Sequence, residues 1–181
     1  QDTRVLGTAE YAASLVNNTP LSDSSDVRLL SKVLTSPMHD GPITFNRAQD
    51  FYFFNRNKEK KTPTAEDINA FQLDLYWGRY VGGIWYPVTP FQHNDPIYST
   101  AHPALSPDGN TLYFVSDKPG GFGGKDLYFS IRIGNDWSEP TNMGPEINTE
   151  GDETFPYFHE SGAFYFSSNG HTGLGGLDLF T

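Results

Sequence analysis

GGFGGKDLYFS occupies Gly120–Ser130 and is almost repeated as TGLGGLDLFT at Thr172–Thr181. Each copy sets a glycine-rich run ahead of an Asp and an apolar pair. A phosphate-cradling loop of the Walker kind needs Gly-Lys-Ser/Thr at the start of a helix, and the dinucleotide form needs a helix and a later acid. Here Gly124 is followed by Lys125 and Asp126, and then by Leu127, Tyr128 and Phe129, which are strand-forming residues. The phrase therefore belongs to β-structure, and what matters is its period.

Asp74-Leu75-Tyr76, Asp126-Leu127-Tyr128 and Asp178-Leu179-Phe180 are spaced by 52 residues, as are Trp85 and Trp137. Upstream stand FYFFNR (Phe51–Arg56), LYFVSD (Leu112–Asp117) and FYFSSN (Phe164–Asn169), the last two again 52 apart. Phe51 and Leu112 are 61 apart, and the excess falls in a polar stretch that includes Lys58, Lys60 and Lys61. Such an insertion suits the rim of a repeat, because lengthening a loop costs only about 0.6 kcal/mol per doubling.

Each unit resolves into short strands. Ala104-Leu105 leads into the turn Ser106-Pro107-Asp108-Gly109, where Pro presets φ and Gly tolerates a left-handed backbone. Thr111–Ser116 and Lys125–Ile133 are runs of β-formers, and Gly134-Asn135-Asp136 is a turn before Trp137. Period, strand number and a repeated aromatic motif predict an all-β fold, part of a β-propeller with four-stranded antiparallel blades. A β-solenoid would repeat in roughly 20 to 30 residues, and a sandwich would show no fixed period. The predicted blades are 39–90 with an insertion at 57–70, then 91–142, then a partial blade at 143–181. All lie in one propeller domain expected to continue beyond 181. Residues 1–38 do not match the repeat and read as a remnant of a preceding blade, with Arg4–Leu15 and Val27–Leu34 as strands or a short helix. Phe53, Tyr113, Phe129, Tyr165 and Trp137 are expected to pack between blades.

The glycines answer to architecture. Gly120, Gly121, Gly123 and Gly124 are expected to allow left-handed turns and close packing at the rim, with Asp126 accepting hydrogen bonds from backbone donors of the turn. Repetition favours this over an ion-binding nest, since architecture recurs in every unit and chemistry need not. The structural repeat positions singled out are Asp74, Pro103, Asp108, Gly109, Asp117, Gly124, Asp126, Trp137, Gly176 and Asp178. No ligand-binding residue is assigned.

Composition narrows the function. The 181 residues carry 12 Lys and Arg against 22 Asp and Glu, a net charge of −10, which argues against nucleic acid and anionic lipid as partners. There is no Cys for a disulfide or a thiol nucleophile. No catalytic constellation, metal site or cofactor site is expected. The five His stand at 39, 93, 102, 159 and 171; His159-Glu160 lacks the second His of a zincin helix, and His159 reads as a surface or turn residue rather than a metal ligand. Asp152-Glu153 is a poor acid–base couple because neighbours on a strand point to opposite faces, and it reads as solvated rim. Trp77, Trp85 and Tyr86 are the candidates for stacking on a sugar.

The run HPALSPDGNTLYFVSDKPGGFGGKDLYFS, His102–Ser130, resembles the WD40-like PD40 repeats of the TolB-type propeller, with Pro103, Asp108, Gly109, Tyr113, Phe114, Ser116, Asp117, Gly124 and Asp126 at motif positions. Continued through WSEPTNMGPEINTEGDETFPYF and SSNGHTGLGGLDLF, the chain resembles the OmpA-family propeller proteins of Bacteroidota, some of which accompany type IX secretion and gliding machinery. The resemblance implies a non-enzymatic protein-interaction scaffold in the periplasm, associated with the outer membrane and partnering an envelope protein such as a PorP/SprF-like barrel. It implies contact with peptidoglycan only through a domain outside this chain, and no membrane insertion of this region. A glycan-binding or glycan-processing propeller is the alternative.

Overall fold

The computed structural model describes residues 30–58, 72–159 and 161–181. They form three antiparallel sheets, and no described residue is helical. The first sheet contains β1 (Asp40–Phe45), β2 (Phe51–Asn57) and β3 (Leu73–Val81), with the two-residue strands β4 (Ile84–Trp85) and β5 (Thr89–Pro90) both paired to β3. The second repeats this plan with β6 (Thr100–Leu105), β7 (Thr111–Ser116), β8 (Asp126–Ile133), β9 (Asp136–Trp137) and β10 (Thr141–Asn142). The third contains β11 (Glu153–Phe158), β12 (Phe164–Ser168) and β13 (Asp178–Phe180).

The register confirms the period at residue level and corrects one interval. Tyr76 pairs with Pro90 and Trp77 with Thr89, just as Tyr128 pairs with Asn142 and Phe129 with Thr141. Phe54 lies opposite Tyr76, whereas Phe114 lies opposite Tyr128. The counterpart of Phe51 is therefore Thr111, not Leu112, and the longer interval is 60 residues rather than 61. The turns agree, since Gln49 takes the left-handed φ of 56° that Gly109 takes at 73°. Matching FYFFNR to LYFVSD by aromatic content slips the alignment by one residue and exchanges the faces of the strand. Asn57 ends β2, and the remainder of the expected insertion, 59–70, lies outside the described residues. So does Arg4–Leu15, while residues 30–34 form a bend and a turn rather than the strand or helix expected there.

Alternation along β2 buries both faces. Phe51 and Phe53 face the second sheet, where Trp137 stacks on Phe51 at 6.2 Å and meets Phe53 edge-on at 5.4 Å. Arg132 lays its guanidinium 4.7 Å from the centre of the Phe51 ring. Leu75, Phe91, Leu105, Leu112, Phe114 and Tyr128 complete this first interface. The second joins Val115 and Leu127 to Phe166, with Met143, Ile147, Phe164 and Phe180 packed around them. Tyr113 reaches Phe158 and Phe164 across it, at 5.7 and 4.8 Å. On the opposite face of β2, Tyr52 is wholly buried, and burial pushes its hydroxyl up to about 12.

The first strands of the three sheets are neighbours. The Leu105 N–H of β6 donates to Thr44 Oγ1 of β1 at 3.2 Å, and the His102 ring of β6 stacks on Phe155 of β11 at 4.3 Å. Each of these strands carries a one-residue irregularity in its ladder. Pro103 and Pro156 sit within the irregularities of β6 and β11, where a residue without an N–H removes no ladder bond.

Candidate functional site

The recurrent chemistry gathers where the glycine-rich loop meets the chain leaving β10. The carboxylate of Asp126, buried at the start of β8, accepts from Phe122 N–H at 2.7 Å, Gly123 N–H at 3.1 Å and Asn142 Nδ2 at 2.8 Å. Asp178 holds the equivalent loop, accepting from Leu174 N–H at 2.7 Å and Gly175 N–H at 3.2 Å. A Cβ on Gly121 would lie 2.0 Å from Asp126 Oδ2, and one on Gly173 would lie 1.9 Å from Asp178 Oδ2. The loops thus wrap a carboxylate closely enough that only glycine fits at that point.

Of the four glycines expected to allow left-handed turns and close packing, Gly120 supplies the left-handed backbone, with φ +91°. Gly121, Gly123 and Gly124 supply the close packing: a Cβ at Gly123 would come 2.2 Å from the Gly151 carbonyl, and one at Gly124 2.5 Å from Asp152 Oδ1. In the second copy Gly175 and Gly176 are left-handed, with φ of +110° and +72°.

Asn148 is the residue that the 52-residue period does not reveal. Its side-chain amide accepts from Leu127 N–H at 2.8 Å and donates to the Leu127 carbonyl at 2.9 Å and to Asn142 Oδ1 at 2.8 Å. Asn94 treats Leu75 in the same way, at 2.9 and 2.8 Å. The Met143 and Phe91 N–H groups donate to the same two Leu carbonyls. Asn94 and Asn148 are 54 residues apart because the loops before them differ by two residues, so a strict search at 52 passes over them.

Glu153 corrects the expectation of a solvated acidic rim. It is fully buried and accepts from Thr149 N–H at 2.9 Å, Thr149 Oγ1 at 2.6 Å and Ser168 Oγ at 2.6 Å. Asp152, its neighbour on the opposite side of the strand, stays part-exposed and pairs with Lys125 Nζ at 3.4 Å.

His102 lies inside β6 with φ 49°, and Phe155 in β11 has φ 52°; both precede a proline and both are left-handed without being glycine. Such a backbone costs of order 1–3 kcal/mol and persists only where its surroundings impose it. Burial, aided by the charge of Lys125, pushes His102 down to about 4. Its Nδ1 is buried with no hydrogen-bond partner among the described residues. His171 closes the second interface, with its ring 5.1 Å from Phe180 and Nε2 2.9 Å from the Ile147 carbonyl.

The remaining singled-out positions are dispersed along the repeat. Asp74 faces Lys58 Nζ at 3.4 Å, and burial raises its carboxyl against that cation's pull. Pro103 is buried in β6. Asp108 is exposed and accepts from Ser106 Oγ, Asn110 N–H and Asn110 Nδ2, bonds that lower its pKa. Asp117 accepts from Ser99 N–H at 2.6 Å, as Asn169 Oδ1 accepts from Asp152 N–H at 2.7 Å. Trp77 packs against the first core and Trp85 lies 4.6 Å from Tyr80, while Tyr86 is exposed. Among the described residues no three or more His, Asp and Glu side chains gather as metal ligands.

No protein-family model matches the chain, and no curated protein does. Among solved structures it is similar to TolB from Acinetobacter baumannii, at 15% identity and a TM-score of 0.48, over 81% of this chain and 30% of that one. The chain thus spans less than a third of that protein's length.

Proposed function

We propose that the three sheets are blades of a β-propeller that serves as a non-enzymatic interaction scaffold in the periplasm, carried by an outer-membrane-associated protein of the OmpA family. The observation that carries the propeller reading is the adjacency of first strands, through Thr44 and Leu105 and through His102 and Phe155. Sheets that meet along their first strands and share aromatic interfaces are arranged around an axis, which is how propeller blades meet.

The scaffold reading is supported by how the polar groups are used. Asp126, Glu153, Asn94 and Asn148 are each engaged with the backbone or hydroxyls of their own loops. Fold alone does not dictate function, so the partner comes from the family resemblance: an envelope protein of the PorP/SprF barrel kind.

Co-purification of the protein from membranes, with and without the barrel, tests this. The proposal expects membrane recovery that depends on the barrel. Soluble, partnerless protein under mild extraction would overturn it.

A further inference from the structure

Asn169-Gly170, just past the end of β12, is the one Asn-Gly pair in the sequence. Such a pair can react with itself, because glycine leaves its backbone nitrogen unobstructed beside the preceding side-chain amide. The second sheet shows what the same turn needs as architecture. Ser116 and Ser168 hold the same register, opposite Asp126 and Asp178, and their hydroxyls accept from Lys118 N–H at 3.2 Å and Gly170 N–H at 3.0 Å. Asp117 and Asn169 follow them, each accepting from the N–H just ahead of its sheet's first strand. There the copies part. Ser116 O–H donates to the Ser99 carbonyl and pairs across the ladder with Thr100, whereas Ser168 O–H donates to Glu153 Oε1 at 2.6 Å. The third sheet thus has a buried carboxylate and an Asn-Gly pair where the second has Thr100 and Asp117-Lys118.

Those differences gather reactive groups around one amide. Asn169 Oδ1 accepts from Asp152 N–H at 2.7 Å, so a backbone donor sits where negative charge would develop if that carbonyl were attacked. Gly170 N–H leads through Ser168 Oγ to Glu153, and both of those side chains are 0% exposed. A Cβ on Gly151 would lie within 2.7 Å of both Asn169 Oδ1 and Gly170 N, so the amide and the nitrogen face one point that only glycine leaves open. Asn169 itself is exposed, which gives a small leaving group a way out.

We infer that Asn169-Gly170 is a self-modification site, at which Ser168 and Glu153 relay the proton for deamidation of Asn169. Gly170 N gives its proton to Ser168 Oγ as Ser168 passes its own to Glu153, and the nitrogen bonds to Asn169 Cγ. The Cγ–Nδ2 bond breaks, the proton returns to the departing nitrogen, and ammonia leaves a succinimide behind. Water opens that ring at either carbonyl, giving aspartate or isoaspartate, so the balance is water consumed and ammonia released. Aspartate at this position can repeat the bond that Asp117 makes to Ser99 N–H at 2.6 Å. Isoaspartate adds a main-chain carbon, which draws Gly170 away from Ser168 and His171 away from the Ile147 carbonyl.

The test is incubation of the full chain at neutral pH beside a short unfolded peptide of residues 164–175. Digestion and mass spectrometry follow the gain of about 1 Da at Asn169, and a separate assay counts isoaspartate. The folded chain is expected to lose Asn169 about tenfold or more faster than the peptide, with isoaspartate among the products. Glu153→Gln keeps the side chain's shape and removes the base, and should bring the folded chain down to the peptide's rate. The wild-type comparison needs no variant to fold, and a folded-chain rate at or below the peptide's would sink the inference. So would the absence of isoaspartate, or a folded Glu153→Gln chain that reacts at the wild-type rate.

Discussion

Asn148 and Leu127 meet as a strand would meet a strand, with the side-chain amide accepting from the N–H and donating to the carbonyl of one residue. A buried backbone donor and acceptor are satisfied by one side chain, and the chain can leave the sheet without stranding them. Asn148→Ala should destabilise the fold by about 1–3 kcal/mol, since it leaves the Leu127 N–H unpaired in a dry site while the Leu127 carbonyl keeps only the Met143 N–H. Asn148→Asp should cost at least as much, because a carboxylate oxygen would then face the Leu127 carbonyl. Urea unfolding of the two variants, with Asn94→Ala as the first-sheet parallel, checks this.

Gly121 separates fit from backbone freedom. A methyl group there would overlap Asp126 Oδ2, so Gly121→Ala should displace the carboxylate from its loop donors and cost more than about 2 kcal/mol. Gly120→Ala meets open space at a left-handed φ and should cost only about 1 kcal/mol. Equal losses for the two in thermal melts would contradict the close-approach account.

His102 gives a pH signature. Its folded-state pKa is depressed to about 4, so the folded protein binds fewer protons than the unfolded one. Its contribution is complete above the ordinary His value of about 6.5 and is lost as pH falls toward 4. Between pH 7.5 and 5 this amounts to about 2 kcal/mol. His102→Asn should flatten that limb, leaving only the carboxylate losses below it. Denaturant midpoints of both proteins across this range provide the check, and an unchanged slope would exclude the buried neutral imidazole.

Trp137 is the largest side chain spanning the first interface. Trp137→Ala should cost about 3–5 kcal/mol. A double-mutant cycle with Phe51→Ala should show coupling of about 1 kcal/mol, because the rings touch. Additive losses would mean that the two sheets do not pack through these rings.

Much of this was legible in the sequence because architecture repeats. Asp126 and Asp178, Trp85 and Trp137, and the strands around them recur at 52 residues, and the sheets follow that period. What escaped was either displaced or context-bound. Asn94 and Asn148 fall out of step with the period through loop length, and β2 was aligned one residue off because an aromatic run hides its phase. The burial of Glu153 depends on Thr149 and Ser168, and that of Ser168 on a strand pairing across 15 residues, which no local pattern encodes. The left-handed backbones of His102 and Phe155 arise at ladder irregularities before proline, where local propensity alone would predict extended strand.

The central claim is that the sheets meet along their first strands. An aromatic NOE spectrum of the intact chain tests it most directly. The account predicts cross-peaks between the rings of His102 and Phe155, 4.3 Å apart, and between the Trp137 indole and Phe51 and Phe53. A folded chain whose Trp137 cross-peaks persist while His102 shows none to Phe155 would contradict the radial arrangement.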